Sequence, residues 1–155
     1  MKTSLAKPIS ADTQQLLSHV YQGCQMGIDS LHRMVDRARS DEVKDLLLDL
    51  AKEHRRIMDR AANALQPYHT APEDIGPIDK LRTRMVAMQV SPRHPEERIS
   101  KTLILGSRMA LRTLMRNLHR YSLALNSSQQ LAGDLIDLEK RTMRAGLRLA
   151  RAAAC

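Results

Sequence analysis

Leu47-Leu48-Asp49-Leu50-Ala51-Lys52-Glu53-His54 returns 88 residues later as Leu135-Ile136-Asp137-Leu138-Glu139-Lys140-Arg141-Thr142. Each octad places its apolar residues at helical spacing, so the echo predicts two related helices and, with the helix before each, a duplicated helical hairpin. In this alignment Ala51 pairs with Glu139 and His54 with Thr142. Each copy therefore keeps one half of a Glu-x-x-His unit, the i, i+3 pair that sets two metal ligands on one helix face. Neither copy is complete.

Outward from the octads, the same spacing predicts four long helices. The first starts near Ser10 or Asp12 and carries Leu17, Val20, Tyr21, Cys24, Gly27, Ile28, Leu31, Met34, Val35 and Ala38 on one face. Ser40, with Asp41 and Glu42 behind it, is a capping hydroxyl followed by acids that meet the positive helix end. The second helix it opens buries Val43, Leu46, Leu47, Leu50, His54, Ile57, Met58, Ala61 and Leu65, and stops before Pro67. With almost no chain between them, these two helices are predicted antiparallel.

Residues 66–94 are too long for a hairpin loop and suit a crossover back along the bundle, with a short extra helix over Pro77 to Val90. The third helix is expected to open at Pro95, with Glu96 and Glu97 in its first turn, and to run to Leu125. Asn126-Ser127-Ser128 ends it, and a fourth helix follows from about Gln129 to Ala153. Gly27 and Gly106, mid-helix in each hairpin, are read as points of close helix approach. Residues 1–9 are expected to be a flexible N-terminus before a single domain.

Composition agrees with an all-α reading. The 155 residues include no Phe, no Trp and only Tyr21, Tyr68 and Tyr121, leaving a core of Leu, Ile, Val, Met and Ala. Strands favour aromatic and β-branched residues, and aromatics are scarce here. Cys24 and Cys155 are the only cysteines, a buried thiol and a tail in this reading, which suits a reducing compartment. No apolar run reaches the ~20 residues of a membrane span, and no signal peptide is evident. A cytoplasmic protein without a membrane partner is expected.

The formal net charge of +8 is unevenly placed. Residues 1–76 hold 10 Lys and Arg against 11 Asp and Glu, while residues 77–155 hold 15 against 6. Much of the excess lies in two ladders: Arg108, Arg112, Arg116 and Arg120 on the third helix, and Arg141, Arg144, Arg148 and Arg151 on the fourth. Like charges one turn apart cost a few tenths of a kcal/mol per pair, so an anionic partner, an acidic protein face or neighbouring acids such as Asp134, Asp137 and Glu139 would offset them. Nucleic-acid binding through these arginines would be nonspecific and salt-dependent, because Tyr121 is the only aromatic on these helices for base stacking.

Two octads, the Gly27-Ile28-Asp29 and Gly106-Ser107-Arg108 sites and the long crossover together resemble the ferritin-like superfamily, over residues 12–150, in particular its rubrerythrin-like and uncharacterised bacterial branches. The resemblance implies an up-down four-helix bundle and, because such bundles commonly dimerise, a homo-oligomer. It also implies six ligand positions, which here hold Ile28, Ala51, His54, Ser107, Glu139 and Thr142. Two irons require about four carboxylates with histidines completing each shell, and this set has one of each. A di-iron centre is not expected, and no cofactor is assigned.

Three readings follow. The first is a noncatalytic bundle serving as a binding or assembly module. The second is a polyanion binder using the arginine ladders. The third is a mononuclear metal site at His54 and Glu139, joined by Cys24 or Asp29, a set zinc accepts. Histidine phosphotransfer, suggested by helical His32, His54 and His119, is disfavoured because His54-Arg55-Arg56 lacks the Lys-Gly that follows the phosphorylated histidine in that family.

Overall fold

In the computed structural model, residues 3–70 and 94–154 are described. They form four long helices: α1 (Thr3–Val35), α2 (Asp41–Leu65), α3 (Pro95–Arg120) and α4 (Asn126–Ala154). A single 3-10 turn, Gln66–Tyr68, follows α2, and no strand occurs among the described residues. The predicted short helix between residues 77 and 90 lies outside them.

The start of α2 follows its sequence signals. Ser40 sits in extended backbone, and its hydroxyl accepts a hydrogen bond from the Val43 N–H, with Asp41 and Glu42 in the first turn. The α1 start differs from expectation: the helix reaches back to Thr3, through Pro8. Asp12, expected as a start signal because it is short and polar, bonds across the fold instead, as does its neighbour Thr13. Asp12 accepts from the Leu123 N–H at 3.0 Å, and the Thr13 hydroxyl accepts from the Leu125 N–H at 3.0 Å. They tie the α3–α4 turn to α1, and α3 accordingly ends at Arg120 rather than Leu125.

The opposite end has a matching tie. Glu96, in the first turn of α3, accepts from the backbone N–H groups of Arg39 and Ser40 at 2.9 and 3.0 Å. Partial burial alone would raise its pKa, but the N–H bonds hold the carboxyl below its ordinary value. Thr70, by contrast, bonds to Gln14, near the α3–α4 turn. Residues 70 and 94 thus sit at opposite ends of the bundle, so α3 runs parallel to α2, while α1–α2 and α3–α4 are antiparallel hairpins.

The core is aliphatic. Leu16, Leu17, Val20, Leu47, Leu65, Ile99, Leu135 and Leu138 are almost fully buried. The octads bury Leu47, Leu50 and Ala51 in α2 and Leu135 and Leu138 in α4, while Leu48 is 45% exposed and Ile136 is half-buried; Leu46, expected inward, is half-buried at the α2 rim. Gly146 marks a close approach missed in the sequence: a Cβ there would lie 2.9 Å from the Ser100 carbonyl oxygen of α3. Gly106 does not do so, since nothing lies within 4 Å of the place its Cβ would take.

Candidate functional site

Hydrophobic periodicity turns the last residue of the first octad inward. His54 is 1% exposed and Glu139, reached from α4, is 6% exposed. The imidazole fits because Gly27 of α1 has no side chain: a Cβ there would stand 2.8 Å from His54 Cδ2. Gly27 thus serves a histidine rather than a bare helix crossing.

Both imidazole nitrogens are engaged. His54 Nδ1 lies 2.8 Å from the Leu50 carbonyl oxygen, which only accepts, so Nδ1 carries a proton and donates it. Nε2 lies 3.0 Å from Glu139 Oε1. A proton must lie between these two atoms, since otherwise two lone pairs would face each other in a buried site. Histidine, glutamate and that proton together are neutral overall, which makes deep burial of the pair tolerable.

Of the six positions implied by the resemblance, Ile28, Ala51, His54, Ser107, Glu139 and Thr142 are all buried. Four of them, His54, Ser107, Glu139 and Thr142, line one cleft of about 380 Å³ between α1 and α3. The pair and Leu135 form its floor, and small or flexible residues form its walls: Gly23, Met26 and Ser30 on α1, Gly106, Met109 and Ala110 on α3. Gly106 opens space in this cleft, which explains why no atom lies close to it.

Asp29 does not join His54 and Glu139, contrary to its expected place in a metal site. It is paired at 3.3 Å with Arg33, one turn along α1, and is partly solvent-exposed. Cys24 is buried, and burial first, with the Glu139 charge second, pushes its thiol far above the ordinary value. A protonated thiol is a poor metal ligand. Among the described residues, no group of three or more His, Cys, Asp or Glu is arranged to hold a metal. A cation at His54 would also have to displace the shared proton.

The arginine ladders stand apart from the cleft floor. All eight arginines, Arg108 to Arg120 and Arg141 to Arg151, are exposed. Among the described residues none of them makes a salt bridge. Two of the three acids expected to offset the α4 ladder are used elsewhere, Asp134 with Arg60 at 2.9 Å and Glu139 with His54, while Asp137 is exposed. Arg120 lies over the Tyr121 ring, which stacks on His19 and fastens α3 to α1.

No family model matches the chain, and no curated protein or solved structure matches it. The class defined by the fold and site is therefore an all-α protein, with four long helices among the described residues, none of them long and apolar enough to cross a membrane.

Proposed function

We propose that the protein is a noncatalytic, ferritin-like binding and assembly module whose α1–α3 cleft receives a small, largely apolar molecule. The observation that carries this reading is the cleft itself, about 380 Å³, walled by methionines and glycines and floored by a neutral polar pair. Such a site gives a ligand apolar burial and one hydrogen-bonding group. Ferritin-like ancestry is supported by the α1, α2, α3 and α4 directions and by burial of all six equivalent positions.

The noncatalytic part of this reading is supported by the chemistry of the cleft. Leu50 and Glu139 hold the two imidazole nitrogens, so His54 is not a free base. Thr102 and Thr142 donate their hydroxyls to carbonyls one turn back on their own helices. Buried and protonated, Cys24 is no nucleophile.

Titration with N-phenyl-1-naphthylamine, an uncharged fluorescent hydrophobe, tests the reading. Saturable one-to-one enhancement is expected, and Gly106→Leu, which fills open space in the cleft, should abolish it while leaving the helical circular dichroism intact. Absent binding, or binding indifferent to Gly106→Leu, would refute the cleft.

A second reading is favoured by the eight exposed, unbridged arginines: polyanion binding on the α3 and α4 surfaces. Its signature is nonspecific DNA retardation that weakens steeply with salt, with a log-log slope of about −0.9 per phosphate neutralised. No retardation at low salt would remove it.

A further inference from the structure

We infer that the face formed by the N-terminal half of α2 and the C-terminal half of α4 is the contact through which two copies of this chain pair, acidic strip on arginine strip. This rests on the assembly half of the proposed function and is independent of the cleft. Two cross-links set how α2 and α4 lie: Arg60 to Asp134 at 2.9 Å, and His54 to Glu139 at 3.0 Å. The helices are antiparallel, so each step back along α2 matches a step forward along α4.

Continued toward the end of the bundle, that register sets Glu53 level with Arg141, Asp49 with Arg144, Asp45 with Arg148 and Glu42 with Arg151. The two helices are also neighbours there, since Leu46 and Leu50 of α2 border one groove of about 600 Å³ with Arg141, Arg144, Arg148 and Arg151 of α4. Glu42, Asp45, Asp49 and all four arginines are exposed, and among the described residues none of them is in a salt bridge. Glu53, half-buried, meets Arg56, and exposed Lys52 is the one cation beside Asp49 on this stretch of the strip.

Two parallel strips of opposite sign on one face are self-complementary. A two-fold axis parallel to the helices and midway between them lays α2 of one copy over α4 of the other, and the reverse. Because the levels already match, every acid then meets an arginine without any shift in register. Leu46, and Leu147 at 41% exposure, add apolar surface to this face. Like strips set face to face would repel, so the charges also select orientation.

Three turns of two helices make a footprint of about 16 by 20 Å, which belongs to the small, charge-dependent class of interface. Sedimentation equilibrium over about 10–500 μM protein, at about 50 and 500 mM salt, tests it, since screening over that range shortens the Debye length several-fold. A monomer–dimer equilibrium is expected whose dissociation constant rises at least about tenfold at the higher salt. The reversals Asp45→Arg with Asp49→Arg, or Arg144→Asp with Arg148→Asp, should each weaken it by more than about 100-fold. All four positions are exposed, so helical circular dichroism should not change.

Mixing the two reversed variants should restore a dimer, and combining all four changes in one chain should restore a homodimer. A protein that stays monomeric throughout, or a dimer indifferent to the reversals, overturns the inference. In either case binding of N-phenyl-1-naphthylamine would still report separately on the cleft. Should the arginine reversals abolish DNA retardation while the acidic reversals leave mass unchanged, the strip serves a polyanion and the dimer face is refuted.

Discussion

Gly27 and His54 show how one missing side chain decides what the centre of the bundle is. The imidazole occupies the space where a Cβ on residue 27 would come within 2.8 Å of Cδ2 and 3.0 Å of Nε2. Gly27→Ala gains helix propensity of about 1 kcal/mol, yet the overpacked imidazole must shift and strain both of its hydrogen bonds. A net loss of about 1–2 kcal/mol in urea-denaturation stability is expected. Unchanged or increased stability would show that His54 moves without cost. Cys24 supplies a second residue-scale test. Its folded-state pKa is raised above the ordinary 9.0, so the folded state holds the thiol proton more tightly than the unfolded state. The sign follows: this contribution is fully present below pH 9.0 and is lost as pH rises above it. From about pH 9 to 10.5, wild type should lose stability faster than Cys24→Ala, by up to about 1.4 kcal/mol per pH unit. Equal slopes would show that the thiol ionises freely in the fold.

Among the elements, the hairpin ends carry cross-fold ties that the bundle interior does not. Glu96 closes the α1–α2 turn from α3 through two N–H bonds, and its carboxyl is held below its ordinary value. Glu96→Ala should cost about 1 kcal/mol at neutral pH, the ordinary magnitude for a partly solvated charged hydrogen bond. Because the folded-state value is depressed, that difference is present above the unfolded-state value and should vanish as pH falls through the folded one. Denaturation of the pair at pH 7 and pH 3 reads this directly, and a constant difference would assign the loss to packing. Helix periodicity and the Ser40 cap made the four helices and most of their buried faces legible in the sequence. Element ends were less legible wherever a polar residue bonds to a distant turn. Asp12 has the character of a helix start, but its partner, the Leu123 N–H, and that of Thr13, the Leu125 N–H, are more than 100 residues away. Local reading has no access to such partners.

For the whole molecule, the site was half legible. The octad echo singled out His54 and Glu139, and with Thr142 from the same echo and Ser107 from the Gly106-Ser107-Arg108 site these are the four equivalent positions that line what proves to be one cleft. What it could not supply is separation: the gap depends on how far α1 stands from α3, which is set by Gly106, Ala110 and their neighbours together rather than by any motif. Asp29 illustrates the same limit, since its spacing suits a ligand while its pairing with Arg33 turns it away. The charge asymmetry between chain halves was visible from composition, but the register that aligns Asp45 with Arg148 comes only from the α2–α4 cross-links. At this scale the bundle core presents a proton-sharing histidine–glutamate pair to an apolar cleft. The most direct test is the imidazole nitrogen spectrum of ¹⁵N-labelled protein, with and without one equivalent of Zn²⁺, the His54 signals being assigned by their loss in His54→Gln. A protonated Nδ1, a hydrogen-bonded Nε2 and shifts indifferent to zinc are predicted. A His54 Nε2 signal that moves on adding zinc, or an Nδ1 that carries no proton, would contradict it.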